Sequence, residues 1–209
     1  LARMSVAPAA ALGVKLILFA ENSNDSGAQI CEHVVGDYKN LSELKEFAAK
    51  CDVVTLEHGL VPLSGIKGLE ASGTRVYPTS AALEEMLKTN PTLLIKEDTD
   101  FDYEVSVMVA RSPHSQATTW APTQMIQEDG ICTLTISPAP VLSDELCMEA
   151  QSLALRIAEQ VGLIGVMAVE MFVKGSSLYI NELSMGAHDS GHWTIEGSKT
   201  SQFEQHLRA

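Results

Sequence analysis

Short apolar segments alternate with helical ones between Val14 and Val76, and this alternation constrains the fold more than any other feature of the sequence. The predicted strands include KLILFA, EHVV and CDVVTLE, and the predicted helix between the last two is LSELKEFAAK. Strands separated by helices of about ten residues indicate βαβ units and a parallel sheet. We therefore predict a small, doubly wound α/β domain over residues 1–80, which binds ligands outside the carboxyl ends of its strands.

The chain changes character near residue 80, where a helix is predicted to begin. Residues 104–111 alternate in the manner of a strand, and further strands are broken at Asp129-Gly130. Residues 144–160 have helical spacing, and an apolar β-hairpin follows over residues 166–183. We therefore predict a second domain over residues 81–209, in which helices accompany an antiparallel sheet (α+β).

The formal net charge of −13 argues against partners that bind by releasing counterions, namely nucleic acid and anionic membranes. Carboxylates alone would also repel a polyphosphate. Magnesium held by one or two carboxylates attracts it, so a divalent metal is the expected intermediary if phosphates bind.

The four cysteines are Cys31, Cys51, Cys132 and Cys147, and they lie far apart in the sequence. They form neither a CxxC pair nor the spacing of a zinc site. We therefore expect reduced thiols and a cytoplasmic location.

The apolar N-terminal stretch, residues 1–20, is interrupted by Gly13 and Lys15. This interruption favours a helix followed by a strand over a secretory signal. No uninterrupted apolar run reaches the length of about 18 residues that a membrane span requires.

Two carboxylates interrupt the apolar hairpin, Glu170 in VMAVEMFV and Glu182 in LYINELS. Alternation along each strand predicts that Glu170 shares a face with Phe172, and Glu182 with Leu178 and Ile180. The connecting turn makes the two acids cross-strand neighbours to within one residue. Like charges there would destabilise the hairpin, so we expect a cation between them, for which Mg²⁺ is suitable. The alternatives are a salt bridge to Lys or Arg and a face open to solvent.

The chain also carries longer motifs that point to a family. Residues 165–209, with the motifs HDSGHWT and TSQFEQHLRA, resemble the C-terminal half of the ATP-grasp domain in 5-(carboxyamino)imidazole ribonucleotide synthases. The resemblance extends to DYEVSVMVARS, to QEDGICTLTISPA and, near the N-terminus, to LARMSVAPAAALGVK. It spans most of the chain and implies a preATP-grasp domain followed by an ATP-grasp domain.

The resemblance implies an ATP-dependent carbon–nitrogen ligase of purine biosynthesis. ATP and bicarbonate would form carboxyphosphate, and the amine of 5-aminoimidazole ribonucleotide would take up its carboxyl group, with ADP and phosphate released. The implied cofactors are ATP and Mg²⁺, and the habit of the family is a homodimer.

Residues for the nucleotide and the metal follow from the same resemblance. Glu170 and Glu182 match the magnesium ligands, and Asn181 lies beside the nucleotide. Glu104 matches the acid that accepts hydrogen bonds from the ribose of ATP, although by position alone it could equally be a surface residue of its strand. Lys88 resembles a lysine that contacts the phosphates. The interdomain hinge, whose backbone would bracket adenine, comprises Lys96, Glu97, Asp98 and Thr99.

His188 and Asp189 fall in the bicarbonate and carboxyphosphate pocket of the family, where a hydrogen-bond donor stabilises the developing oxyanion. Glu57 falls where the family has an acid that faces the ribonucleotide, although its position also allows it to cap a helix. His192, Trp193 and His206 are expected to be packing or helix-face residues.

The sequence departs from the family in loops and in single residues. The glycine-rich loop that would cover the ATP phosphates is absent after Lys88, as are the segment before it and the small C-terminal domain. We expect such lid segments to be missing because they are often disordered without ligand, whereas a chain truly this short should be inactive. Gly186 stands where the family has arginine, and Asp189 where it has asparagine, so both changes weaken an anion pocket.

Two rival functions share parts of this description. Formate-dependent glycinamide ribonucleotide transformylase, another ATP-grasp ligase, would have the same fold and metal-binding acids. A non-catalytic relative would bind nucleotide without turnover. The motifs HDSGHWT and SQFEQHLRA favour the carboxylating enzyme.

Overall fold

The computed structural model describes residues 1–89 and 100–209 of the protein. The chain forms two compact units, Leu1–Glu84 and Glu85–Ala209. The sequence predicted two domains with a boundary after residue 80, and the binding roles assigned to them stay predictions.

The first unit is built from short strands and helices in alternation. Its elements are α1 (Ala2–Leu12), β1 (Ile17–Ala20), β2 (Glu32–Val35), α2 (Leu41–Ala48), β3 (Val54–Thr55), α3 (Leu63–Ala71) and β4 (Val76–Tyr77). β1 pairs with β2 and β3 pairs with β4, both in parallel, which confirms the predicted strand direction. The core of this unit joins Leu44, Ile66 and Leu69 to Val54 and Val76.

Residues at the element ends explain where these helices begin and end. Gly13 adopts a positive φ of 70° and donates its N–H to the carbonyl of Ala10, which ends α1. The side chain of Asn40 accepts the N–H of Ser42 and so caps α2. The N-terminal apolar stretch is therefore a helix and a strand, as predicted. Among the helices of the described residues, none combines the length and the apolar character needed to cross a bilayer.

The second unit is centred on an antiparallel sheet. After α4 (Ser80–Thr89), which spans the division between the units, its elements are β5 (Tyr103–Arg111), β6 (Ala117–Thr119), β7 (Thr123–Glu128), β8 (Ile131–Ile136), α5 (Asp144–Gln160), β9 (Gly165–Lys174), β10 (Ser177–Met185), α6 (Thr194–Gly197) and α7 (Gln202–Arg208). Within residues 100–209, six strands form one sheet in the order β10-β9-β5-β7-β8, with β6 also paired to β5. All the pairs are antiparallel, as predicted.

The two faces of this sheet have different surroundings. One face packs against α5, whose Ala150, Ala154 and Ala158 are fully buried along one side of the helix. Their small side chains let the helix lie close to the apolar strand residues. The opposite face carries polar residues, Ser106 and Glu170 among them, next to buried apolar ones. The candidate site lies on this second face.

Candidate functional site

Glu170 and Glu182 are directly paired across the hairpin of β9 and β10. Paired residues of antiparallel strands point to the same side, so both carboxylates lie on the face opposite α5. The predicted cross-strand proximity of the two acids is confirmed. Among the described residues, no lysine or arginine lies within ion-pair distance of either carboxylate.

A β-bulge separates Ile180 from Glu182, because Asn181 has no partner on β9. The extra residue shifts the alternation, so that Ile180 lies on the α5 face and Glu182 on the other. The expectation that Glu182 shares a face with Leu178 and Ile180 is therefore wrong. Glu182 shares its face with Tyr179, since period-two alternation fails where a strand contains an unpaired residue.

Asn181 places an unsatisfied acceptor beside the carboxylate pair. Its Oδ1 is buried and has no hydrogen-bond partner among the described residues. An unmet buried acceptor costs about 1–3 kcal/mol, and a cation or a donor group of a ligand would satisfy it. Two carboxylates and a neutral oxygen suit Mg²⁺, which also takes water and phosphate oxygens. In the described parts of the chain, no group of three His, Cys, Asp or Glu side chains could hold a metal by itself. The residues therefore fit a magnesium ion that is held jointly by the protein and a nucleotide.

His188 connects the carboxylate pair to the centre of the sheet. Its Nε2 lies 3.0 Å from Oε1 of Glu170, and the two side chains are only 19% and 14% exposed. Its Nδ1 lies 2.9 Å from Oγ of Ser190 and accepts the backbone N–H of the same residue at 3.3 Å. Oγ of Ser190 lies 2.9 Å from Oγ of Ser106, which is the partner of Glu170 on β5. Both ring nitrogens of His188 are therefore held in place.

Gln202, at the start of α7, fixes the loop that carries His188. The N–H of His188 donates to Oε1 of Gln202, and Nε2 of Gln202 donates to the carbonyl of His188, both at 2.8 Å. Gln202 is completely buried, and any side chain at Gly191 would collide with its amide. Trp193 Nε1 donates to Thr123 Oγ1 at 2.9 Å, which ties the same loop to β7. Trp193 thus has a packing role, as predicted.

Glu104 lies in the next row of the same sheet face, paired with Phe172 on β9. Phe172 stacks on Phe101 with ring centroids 4.3 Å apart. Glu104, Phe101 and Met125 line a shallow cleft of about 250 Å³. An acid beside an aromatic pair in a cleft can accept hydrogen bonds from a ligand that also covers the rings.

Negative charge accumulates around this face. Asp189 is 67% exposed, and its Oδ1 lies 3.6 Å from Nδ1 of His192. Burial raises the pKa of the Cys132 thiol on β8, and the charges of Asp189, Glu170 and Glu104 raise it further. A thiol on a neighbouring strand therefore experiences the combined field of the acidic side chains.

Other predicted binding residues lie apart from this cluster. Glu57 follows β3 in the first unit, at the carboxyl end of a strand as predicted, and partial burial raises its pKa. α3 begins after Pro62 without a side-chain cap, so Glu57 does not cap it. Lys88 in α4 is exposed and pairs with Glu85 at 2.7 Å. The predicted hinge residues outside the described residues are Lys96, Glu97, Asp98 and Thr99.

Three contributors to the site were not identified from the sequence: Ser106, Ser190 and Gln202. A signal was available for Ser106, which interrupts the apolar run VSVMVA much as Glu170 interrupts its own strand. Ser190 lies within the motif HDSGHWT. Gln202 offered no signal, because its role depends on a loop that folds back across 14 residues.

Sequence comparison matches both units to known families. Residues 1–86 match the ribonucleotide synthetase preATP-grasp domain, and residues 68–203 match the ATP-grasp domain. The N5-carboxyaminoimidazole ribonucleotide synthase of Mycobacterium tuberculosis (strain ATCC 25618 / H37Rv) is 34% identical to this chain over 281 positions, which cover 100% of this chain and 66% of that protein. The chain thus spans about two thirds of that relative's length. Because the 281 aligned positions exceed the 209 residues of this chain by 72, the relative has internal segments that this chain lacks, in agreement with the prediction.

Solved structures agree with these matches. The N5-carboxyaminoimidazole ribonucleotide synthetase from Thermus thermophilus superposes with a TM-score of 0.88 at 28% identity, covering 100% of this chain and 75% of that one. The carboxyaminoimidazole ribonucleotide synthase from Aspergillus clavatus, complexed with ATP, superposes with a TM-score of 0.85 at 26% identity and covers 100% and 73%. The predicted fold, a preATP-grasp domain followed by an ATP-grasp domain with an antiparallel sheet, is confirmed.

Proposed function

This chain belongs to the ATP-grasp family, with a ribonucleotide synthetase preATP-grasp domain ahead of the ATP-grasp domain, and from that premise we propose that it carboxylates 5-aminoimidazole ribonucleotide at the expense of ATP. Bicarbonate attacks the γ-phosphorus of ATP, which forms carboxyphosphate and releases ADP. The amine of the ribonucleotide then takes the carboxyl group, phosphate leaves, and the amine loses a proton. The pairing of Glu170 with Glu182 is the observation that carries the proposal.

Magnesium is the proposed cofactor at this pair. Glu170 and Glu182 hold it, and the unsatisfied Oδ1 of Asn181 lies ready for the metal or the nucleotide. When bound, Mg²⁺ neutralises charge on the ATP phosphates as the γ-phosphoryl group is transferred. Without a cation, two facing carboxylates would repel both each other and the triphosphate.

The nucleoside part of ATP is proposed to lie along the next row of the sheet. Glu104 accepts hydrogen bonds from the ribose hydroxyls, and the Phe101–Phe172 stack offers an apolar wall beside it. Lys88 contacts the phosphates, and Lys96, Glu97, Asp98 and Thr99 form the adenine hinge.

His188 is proposed to donate to bicarbonate and to the oxyanion that develops from it, since its loop is fixed at both backbone polar groups. Asp189 lines the same pocket, and Glu57 in the first unit faces the ribonucleotide. We also propose a homodimer in the cytoplasm, where purine precursors are made and where reduced cysteines are expected.

A second candidate, nucleotide binding without turnover, is favoured by one observation. Gly186 has no side chain, and no lysine or arginine of the described residues pairs with Glu170 or Glu182. The anion pocket therefore lacks the guanidinium that the family has at this position, which would slow a step that develops negative charge.

The proposal is tested by measuring ADP release with and without bicarbonate, 5-aminoimidazole ribonucleotide and formate. Release that needs both bicarbonate and the ribonucleotide supports it. Release that needs formate identifies the transformylase reaction, and nucleotide binding without release identifies the non-catalytic alternative. Glu182→Gln should abolish release, and the exposed Glu128→Gln serves as the matched control that keeps it.

A further inference from the structure

Buried polar side chains gather beneath the loop that carries His188, residues 188–193, which lies between β10 and α6. Among the described residues of the second unit, the buried polar side chains all lie in this loop or contact it, namely Ser106, Thr123, Ser190, Thr194 and Gln202. Buried polar groups are costly unless they are bonded, so their contacts hold the loop in one arrangement.

Gln202 binds both polar groups of the His188 backbone. The N–H of His188 donates to Oε1 of Gln202, and Nε2 of Gln202 donates to the carbonyl of His188, both at 2.8 Å. A backbone N–H can only donate and a carbonyl can only accept, so the two contacts fix which way the amide faces. The side chain therefore pairs with His188 as a neighbouring strand would.

Two residues next to His188 in the chain fix the Gln202 amide in turn. A Cβ at Gly191 would collide with the amide, so the lack of a side chain there leaves the space that the amide fills. The backbone N–H of Gln202 donates to Oγ1 of Thr194 at 2.9 Å, and this hydroxyl donates to the carbonyl of Gly191 at 2.6 Å. Gln202 is thus joined to the loop by its side chain and by its backbone.

We propose that Gln202 is a positioning residue for the carboxylate of Glu170, acting through the backbone and the ring of His188. Nε2 of His188 lies 3.0 Å from Oε1 of Glu170, and both side chains are mostly buried. A contact at one oxygen fixes the rotation of the carboxylate, which is what outer-shell contacts do for metal ligands. The metal at Glu170 rests on the function proposed above, whereas the bonds of Gln202 to His188 do not.

Glu170 needs such a contact because the sheet fixes only its backbone. Its pairing with Ser106 on β5 and with Glu182 on β10 sets the position of its Cα. The carboxylate at the end of a flexible side chain can still rotate, and repulsion by Glu182 directly opposite favours separation of the two charges. A ring whose own backbone is held from outside the hairpin selects one orientation of the Glu170 carboxylate.

Hydrogen exchange in the ligand-free protein tests the bonds of Gln202 to the loop. We expect the His188 amide to be protected in the wild type and to exchange at least about tenfold faster in Gln202→Met, which keeps the length of the side chain but not its polar groups. Gly191→Ala should have the same effect, because its Cβ displaces the amide of an unchanged Gln202. An unprotected His188 amide in the wild type would overturn the proposal.

Ser201→Ala is the matched control for both variants. The Ser201 side chain accepts the N–H of Glu204 and caps α7, so its loss removes a hydrogen bond next to Gln202 and leaves the contacts to His188 intact. We expect the control to unfold at a lower temperature, as the two test variants do, while its His188 amide stays protected.

Metal binding tests the positioning role, with Mn²⁺ as the probe because it takes the same oxygen ligands as Mg²⁺. Electron paramagnetic resonance measures the binding of Mn²⁺ in the presence of ADP. We expect the Kd for Mn²⁺ to rise about tenfold in Gln202→Met and in Gly191→Ala and to stay unchanged in Ser201→Ala. The affinity for ADP without metal should be the same in the wild type and in all these variants.

A purely structural role of Gln202 predicts a different pattern. An unchanged Kd for Mn²⁺ in Gln202→Met and Gly191→Ala, or an equal rise in Ser201→Ala, would overturn the positioning role. So would a wild type that binds no Mn²⁺ with ADP, since Glu170 would then have no metal to be positioned for. Gly191→Ala alone decides the comparison if Gln202→Met does not fold.

ADP release separates this proposal from the proposed function. If Mn²⁺ binding weakens as expected but no bicarbonate-dependent ADP release exists, the positioning role stands and the proposed function fails. If that release exists but Gln202→Met and Gly191→Ala bind Mn²⁺ as the wild type does, the proposed function stands and the positioning role fails.

Discussion

Glu182 on β10 lies directly opposite Glu170 on β9, and the two carboxylates share the sheet face that does not contact α5. Glu170 also contacts His188, whereas Glu182 is exposed. Like charges directly opposite each other on antiparallel strands destabilise the pair by about 0.2–1 kcal/mol. The arrangement is therefore less stable without a cation than a neutral pair would be.

Replacing Glu182 with Gln should therefore stabilise the ligand-free protein by up to about 1 kcal/mol, because the repulsion with Glu170 is removed. The same change should weaken stabilisation by Mg²⁺ and ATP together, because one carboxylate ligand is lost. Thermal unfolding with and without the ligands measures both effects. Glu128→Gln, at the exposed end of β7, should change neither, and a Glu182→Gln protein still fully stabilised by the ligands would contradict the assignment.

Replacing Asn181 with Ala should leave the free protein as stable as before or more stable by about 1 kcal/mol. Its Oδ1 is a buried acceptor without a partner, so removing it also removes a desolvation cost. Asn40→Ala is the contrasting control, because it removes a satisfied cap of α2 and should cost about 1 kcal/mol. Urea unfolding measures the difference, and a loss at Asn181 as large as that at Asn40 would show that its amide has a structural partner.

The sequence was sufficient for the secondary structure around the site and for the hairpin. The helix predicted over residues 144–160 is α5, and the turn after Lys174 brings the two acids together as expected. Both predictions rest on periodicity, which local backbone geometry imposes. The bulge at Asn181 was not predictable, because nothing in the apolar pattern of LYINELS marks which residue loses its partner.

The support of His188 was beyond the sequence for a different reason. Ser106 and Ser190 are separated by 84 residues, and only the packing of the loop on β5 brings them together. A serine in an apolar strand signals a polar contact but does not identify the partner. Motif resemblance identified His188, whereas the contacts that orient it required coordinates.

Restoring a side chain at Gly186 should cost stability. Its φ of 109° suits glycine, so both Gly186→Ala and Gly186→Arg should lose about 1–3 kcal/mol in unfolding experiments. The alanine variant isolates the backbone strain from the effect of the guanidinium. We expect Gly186→Arg to have a lower KM for bicarbonate than Gly186→Ala, and equal values would exclude this position from the anion pocket.

The stability of the protein should decrease as the pH falls below about 6.5, partly because of His206. Burial lowers the pKa of His206 below the ordinary value of 6.5, so the unfolded chain binds a proton that the folded protein resists. The stability that depends on a neutral His206 is fully present above pH 6.5. It is lost as the pH falls from 6.5 to the lower pKa that His206 has in the folded protein. His206→Gln should flatten the dependence of the unfolding temperature on pH in this window. The exposed His114→Gln is the control and should leave the slope unchanged.

Cys132 should report on the charge of the site. Burial raises the pKa of its thiol first, and the charge of Asp189 raises it next, so less thiolate is present at a given pH than for an exposed cysteine. Asp189→Asn should therefore accelerate alkylation of Cys132 at about pH 8, a value near the ordinary cysteine pKa. Added Mg²⁺ should also accelerate alkylation of Cys132 in the wild type. A cation bound at Glu170 offsets the negative charge of that carboxylate, which is another cause of the raised thiol pKa.

Peptide mass spectrometry after a timed alkylation measures each cysteine separately. Cys147 is the internal control, because burial and Asp144 raise its pKa and neither change at the site alters them. A rate at Cys132 that responds to Asp189→Asn but not to Mg²⁺ would mean that the metal binds away from Glu170. If Mg²⁺ changes the alkylation rate of Cys132 in the wild type but not in Glu182→Gln, the ion binds at the paired carboxylates. In that case the loss of one carboxylate ligand removes the cation that affects the pKa of the thiol.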